Sequence, residues 1–119
     1  MAKRILVVED EPLGRKQIAL FLREEGYDVN EATDGAEALD LIDASHFDLV
    51  LSDVRMPRVD GIAVVSHLRS MSPNVPFIIL TAYPDDAAGV ASMPRALVMN
   101  KPVMLADLKS KIRVLLQQW

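Results

Sequence analysis

Five residues able to do chemistry stand at the ends of short apolar runs. Glu9 and Asp10 follow Ile5–Val8, Asp53 follows Leu49–Leu51 and Ser52, Thr81 follows Phe77–Leu80, and Lys101 follows Ala96–Met99. Singly, each has a plain structural use: Asp10 can cap a helix, Thr81 can sit in a strand, and Lys101 can pair with any acid. Together they do not, because carboxylates about 4 Å apart repel by about 4 kcal/mol per pair at an effective dielectric near 20. Lys101 relieves part of that repulsion and a hard divalent cation relieves the rest. Magnesium suits an oxygen-only site with a few carboxylates and a phosphate-bearing substrate. The set points to phosphoryl transfer, with a carboxylate as nucleophile and the cation, Lys101 and the Thr81 hydroxyl stabilising charge on the equatorial oxygens. Asp53 is the natural nucleophile, since it stands alone while Glu9 and Asp10 are adjacent.

Convergence requires that the runs be parallel strands. The blocks Ile5–Val8, Leu49–Leu51, Phe77–Leu80 and Ala96–Met99, with a more mixed one at Tyr27–Ala32, are short enough for strands buried on both faces. Between them lie helical patterns. Pro12–Glu25 carries Ile18, Phe21 and Leu22 on one face and stops at Gly26; Asp34 and Glu37 make a capping box ahead of Ala38, Leu39 and Ile42. Gly61–Ser70 carries Ile62, Val65 and Leu68, and Leu105–Gln118 carries Leu108, Ile112 and Leu115. Asp85–Met93 is a weaker helix, rich in Ala and Asp, holding Gly89 and ending at Pro94. Strands alternating with helices predict an α/β, doubly wound, five-stranded parallel sheet with five helices, the fourth short or irregular. In such a sheet the residues after each strand gather along one edge.

The 119 residues are the size of one domain, read as 1–119 with no repeat or linker. Thirteen Lys and Arg against 17 Asp and Glu leave a net charge of −4, which favours neither nucleic acid nor an anionic membrane. The absence of cysteine removes thiol nucleophiles and thiolate metal sites, and the two histidines, His46 and His67, are isolated. The basic start, Met1–Arg4, leads into an apolar run too short for a signal peptide, and no later run is long enough to span a membrane. A cytoplasmic protein is expected. The five glycines form neither a Walker loop nor a dinucleotide fingerprint, and no Gly-x-Ser-x-Gly elbow occurs. An aspartate-based phosphohydrolase wants a second Asp two positions after the first, where this chain has Arg55.

Four motifs carry a family resemblance: Ile-Leu-Val-Val-Glu-Asp-Glu-Pro (5–12), Asp-Val-Arg-Met-Pro-x-x-Asp-Gly (53–61), Leu-Thr-Ala (80–82) and Asn-Lys-Pro (100–102). In this order and spacing the chain resembles a bacterial two-component response-regulator receiver domain from Arg4 to its last helix. The resemblance implies a flavodoxin-like strand order 2-1-3-4-5. It implies that Asp53 is the phosphoacceptor, that Glu9 and Asp10 organise Mg2+ with the Arg55 backbone carbonyl as a further ligand, and that Thr81 and Lys101 engage the phosphoryl group. It also implies a cis Lys101–Pro102 bond.

Two departures from the family pattern stand out. The switch position three before the lysine is Val98, so no Tyr or Phe can rotate there, and the stretch from Thr81 to Lys101 is two residues shorter than in many receivers. Phosphorylation is therefore expected to order or shift residues 83–97. The run Pro76–Pro84, with Phe77, Thr81 and Tyr83, is similar in part to the Pro-Phe-x-Phe-Ala-Thr-Gly-x-x-Tyr pattern of a single-domain receiver subgroup; core packing and a loop aromatic explain Phe77 and Tyr83 equally well. The resemblance implies that Arg55 and Tyr83 flank the route of water to the phosphoryl group, and their bulk is expected to slow hydrolysis.

The resemblance implies a sensor histidine kinase or phosphotransfer protein as donor and an output protein partner, with no nucleic acid bound by this domain. Beyond self-phosphorylation from phosphodonors and self-dephosphorylation, no enzyme activity is expected. Val114, Leu115, Leu116 and Trp119 fit a core, a homodimer face or the start of a linker. Two other functions compete: an unphosphorylated protein-binding module with the same fold, and a magnesium-dependent phosphatase of small molecules.

Overall fold

Each apolar run becomes a strand in the computed structural model, which describes residues 2–117, with bounds moved by one or two residues. The strands are β1 (Arg4–Val8), β2 (Asp28–Ala32), β3 (Leu49–Asp53), β4 (Phe77–Thr81) and β5 (Ala96–Asn100). The helices are α1 (Pro12–Glu24), α2 (Gly35–Ala44), α3 (Gly61–Met71) and α4 (Leu105–Gln117). All strand pairs are parallel and the order is β2-β1-β3-β4-β5, as expected.

The pleat divides the sheet residues between two cores. Ile5, Val7, Leu49, Leu51, Ile78 and Leu80 pack with Ile18 and Leu22 of α1 and Leu108, Ile112 and Leu115 of α4. Their neighbours Leu6, Val8, Val50, Phe77 and Ile79 pack with Ala38 and Ile42 of α2 and Val64, Val65 and Leu68 of α3. Burying one such aliphatic side chain contributes about 1.5–3 kcal/mol, so any slip of register would forfeit many contacts at once. Arg15 lies in the buried stripe of α1 with Ile18, Ala19 and Leu22.

Helix starts follow local chemistry. Glu11, rather than Asp10, caps α1: its carboxylate accepts from the Leu13 and Gly14 amides at 3.2 and 2.6 Å, because Pro12 at the first helical position puts the cap one residue before it. The helix gives way at Gly26, whose φ is 96°. The expected capping box forms, with Asp34 Oδ1 accepting from the Glu37 amide at 2.8 Å and the Glu37 carboxylate accepting from the Thr33 amide at 3.0 Å.

Where five helices are expected, four α-helices form among the described residues. Pro84–Ala87 makes a single 3-10 turn and the chain continues in turns to Pro94. The segment is poor in apolar side chains, and Ala87 and Val90, three residues apart, are its two buried ones. Its far end is held by Arg69 of α3, whose guanidinium donates to the carbonyls of Pro73, Val75 and Pro94 at 2.7–2.8 Å. The same group lies 4.9 Å from the centroid of the Phe77 ring. On α4, Leu115 is buried, Leu116 half-buried and Val114 exposed, while Trp119 lies outside the described residues. No described helix is long and apolar enough to cross a membrane.

Candidate functional site

Register brings the acids together. Val8 pairs with Ser52, so the next residues, Glu9 and Asp53, lie side by side at the carboxyl edge of the sheet. Glu9, Asp53 and Lys101 have the pleat parity of Val7, Leu51 and Met99, on the α1–α4 side. Thr81 has the parity of Ile79, on the other side.

Lys101 Nζ donates to Asp53 Oδ2 at 2.9 Å and to Glu9 Oε2 at 3.1 Å. One ammonium therefore bridges two acids from different strands. Asp53 Oδ1 accepts from its neighbour, the Val54 amide, at 2.8 Å. Glu9 and Asp53 are 5% and 9% exposed, so their charges interact through little solvent. Burial, followed by the Asp53 charge, pushes the Glu9 carboxyl above the ordinary glutamate value against the pull of Lys101. Burial pulls the Lys101 ammonium down, but its hydrogen bonds to Asp53 and Glu9 and their charges outweigh that and hold it above the ordinary lysine value. Lys101 thus works as a fixed cation.

Glu9, Asp10 and Asp53 each offer a carboxylate oxygen within 4.8 Å of the others. Three hard oxygen donors with no sulfur or imidazole among them fit Mg2+. Thr81 is 1% exposed and its Oγ1 accepts from the Tyr83 amide at 2.8 Å. The Lys101 amide donates to the Thr81 carbonyl at 2.8 Å, which ties the ends of β4 and β5, and the Lys101–Pro102 bond is cis, as expected. Val98 lies half-buried on β5, paired with Ile79.

Several residues that shape the site carry no chemistry of their own. A Cβ on Gly61 would lie 2.0 Å from the Asp53 carbonyl oxygen, so only glycine lets α3 start against the strand that bears Asp53. Arg15 Nη1 donates to the Glu9 carbonyl at 2.9 Å and Arg15 Nε to Glu31 at 3.2 Å, fixing the backbone under the acid pair. Its one sequence signal is a charged residue inside the apolar stripe of α1. The loop after Asp53 is held by Arg58, which pairs with Asp34 at 2.5 Å, and by Arg55. Arg55 Nε donates to Asp86 at 2.7 Å and its guanidinium stacks 3.6 Å from the centroid of the Tyr83 ring. Asp86 is a partner that no motif indicates.

The family model for the response regulator receiver domain matches residues 5–113. The chain belongs to that family. The response regulator MprA of Mycolicibacterium vanbaalenii is 39% identical over 120 aligned positions, 99% of this chain and 52% of MprA. The receiver thus spans about half the length of the curated relatives it matches. The response regulator protein TrrA from Thermotoga maritima, solved in complex with Mg2+–BeF, is 36% identical with a TM-score of 0.85 over 95% of this chain and 98% of TrrA. A receiver domain protein from Methanospirillum hungatei gives a TM-score of 0.91 at 28% identity over 99% of this chain and 96% of that one. Phe77 sits in the core and Tyr83 in the loop, as packing alone requires, so their placement does not distinguish the single-domain subgroup.

Proposed function

We propose that this receiver accepts a phosphoryl group on Asp53 from the phosphohistidine of a sensor histidine kinase or phosphotransfer protein. A carboxylate oxygen of Asp53 attacks phosphorus as the P–N bond breaks, the imidazole nitrogen keeps the electron pair, and an acyl phosphate forms. The observation that carries this reading is the Lys101 ammonium bridging Asp53 and Glu9 beside Asp10. Mg2+, held by Glu9, Asp10, Asp53 and the Arg55 carbonyl, would neutralise charge on the phosphoryl oxygens. Lys101 offsets charge on the same group, and the Thr81 hydroxyl donates to one of its oxygens. Attack of water on phosphorus later returns the free carboxylate.

The added charge and acceptors bias residues 83–97 and the surface around β5 and α4, and that surface meets an output protein or a second copy of the chain. The receiver works in the cytoplasm, without direct contact with nucleic acid or membrane, as one domain over residues 1–119. Its activity is confined to magnesium-dependent self-phosphorylation and self-dephosphorylation.

Intact mass after incubation with acetyl phosphate tests the reading. A gain of about 80 Da that requires both Mg2+ and Asp53, and is lost in Asp53→Asn, is expected for an acyl phosphate. Absence of any adduct from acetyl phosphate and from a phosphohistidine protein alike would leave the unphosphorylated binding module as the better function. Turnover of a small phosphate ester would favour the phosphatase.

A further inference from the structure

Past the last pairs of β1, Val8 with Ala32 and with Ser52, the Glu9 carbonyl has no strand amide to meet. Arg15 of α1 takes that place. It is 7% exposed, in the apolar stripe with Ile18, Ala19 and Leu22, and its Nη1 donates to the Glu9 carbonyl at 2.9 Å. The guanidinium is braced from the other side. Arg15 Nε donates to Glu31 Oε1 at 3.2 Å, Arg23 Nη1 donates to Glu31 Oε2 at 3.2 Å, and Arg23 Nη2 donates to the Val29 carbonyl at 2.9 Å, so the brace ends on the backbone of β2. The two acids that flank the held peptide differ. The Glu9 carboxylate is held by Lys101 and, at 3.2 Å, by the Glu11 amide, whereas among the described residues no donor holds that of Asp10. The aim of Asp10 is therefore set by its own backbone, which begins at the carbonyl that Arg15 holds.

We propose that Arg15, braced by Glu31, is a positioning residue for Mg2+: it fixes the Glu9–Asp10 peptide, and so the direction in which Asp10 offers its carboxylate alongside Glu9 and Asp53. This deepens the receiver reading above and rests on its magnesium site. Mg2+ demands near-ideal octahedral geometry at about 2.0–2.1 Å, so a small turn of one donor costs affinity. Any donor would satisfy the buried carbonyl, yet a guanidinium is a costly one in an apolar stripe, and a cation near three carboxylates opposes a second cation. Pairing with Glu31 offsets both costs. The charge of Arg15 and its hold on the peptide thus act on Mg2+ with opposite sign.

Calorimetric titration of the whole chain with magnesium chloride, against potassium chloride at matched ionic strength, separates the two. Arg15→Met removes donor and charge together. Loss of positioning should raise the Mg2+ Kd about tenfold or more, whereas loss of a cation alone would lower it. Arg15→Lys keeps the charge but lacks the fork that meets Glu9 and Glu31 at once, and its Kd should rise about threefold or more. Ile42→Val, which loosens the core on the opposite face of the sheet, should leave Kd as in wild type. In phosphorylation by acetyl phosphate, the Arg15 variants should need correspondingly more Mg2+ for half-maximal rate and reach the wild-type rate when Mg2+ saturates. A Kd unchanged or lowered in Arg15→Met or, should that protein not fold, unchanged in Arg15→Lys would overturn the proposal. An equal rise of Kd in Ile42→Val, or a rate that stays low at saturating Mg2+, would overturn it too, by making Arg15 a support of the fold rather than of the ion. No Mg2+ binding by wild type beyond the potassium response would instead remove the magnesium site on which the receiver reading itself stands.

Discussion

Three residues outside the acid–lysine cluster bear on Asp53, Gly61 on one side and the stacked Arg55 and Tyr83 on the other. Gly61 is the tighter constraint, since a methyl there would sit 2.0 Å from the Asp53 carbonyl oxygen and neither backbone can yield without moving the carboxylate. Gly61→Ala should cost about 1–3 kcal/mol in urea unfolding, as overpacking does. It should also slow phosphorylation by acetyl phosphate; full stability in this variant would mean that the close approach is not required. Arg55 and Tyr83 act on the other side of the reaction, as a stacked pair beside the loop that leaves Asp53. If their bulk shields the phosphoryl group from water, Arg55→Ala and Tyr83→Ala should each shorten the lifetime of phosphorylated Asp53 in a phosphate-release assay. Unchanged decay in both would remove shielding as their role.

At the scale of elements, loops are held by charged side chains that join distant parts of the chain. Asp34 caps α2 and pairs with Arg58, and its hydrogen bond from the Glu37 amide, followed by that from Arg58, holds its carboxyl below the ordinary aspartate range. A lowered folded value means that the stabilisation is present above the unfolded pKa of about 3.9 and is lost as pH falls through the folded one. Because Asn caps as well as Asp, Asp34→Asn isolates the charge. Wild type should be the more stable at neutral pH, and the difference should close below about pH 4 in thermal unfolding. A difference independent of pH would point away from the carboxylate charge. Arg69 does similar work for residues 88–95, and Arg69→Ala should cost about 2 kcal/mol, since several carbonyls lose one charged donor. Lysine should restore only part of that, having no planar fork. Hydrogen exchange in 88–95 should rise in the alanine variant, and exchange as slow as in wild type would show the segment to be held by Ala87 and Val90 alone. Strands and the Asp34–Glu37 box were legible because period and capping chemistry are local. The fourth helix read as weak from Gly89 and Pro94, yet its collapse to one turn depends on which face meets the core. The preference for Glu11 over Asp10 as cap turned on Pro12. Arg15 and Asp86 act through partners far along the chain, and no local pattern shows that.

For the whole molecule, the acid cluster sits where the sheet has no apolar cover. Helices close both faces, so the carboxyl edge collects the polar residues after β1, β3, β4 and β5. Lys101 neutralises one charge among three carboxylates, in a chain whose net charge is already −4. The remaining repulsion acts between strand ends of one cooperative sheet, so an ion that relieves it should stabilise the entire fold. Binding to the folded state alone adds RT ln(1 + [Mg2+]/Kd), about 2.7 kcal/mol at a hundredfold excess over Kd. Thermal unfolding of the receiver should therefore show a Tm that rises with the logarithm of Mg2+ concentration. Potassium chloride at matched ionic strength separates this from general screening, which acts on every surface charge alike. Asp10→Asn removes one donor without touching the Lys101 bridge, and should flatten the magnesium dependence while leaving the potassium response in place. An equal magnesium response in wild type and Asp10→Asn would show that Asp10 is not a ligand. A wild-type response no larger than that to potassium would show that the three carboxylates do not form a magnesium site.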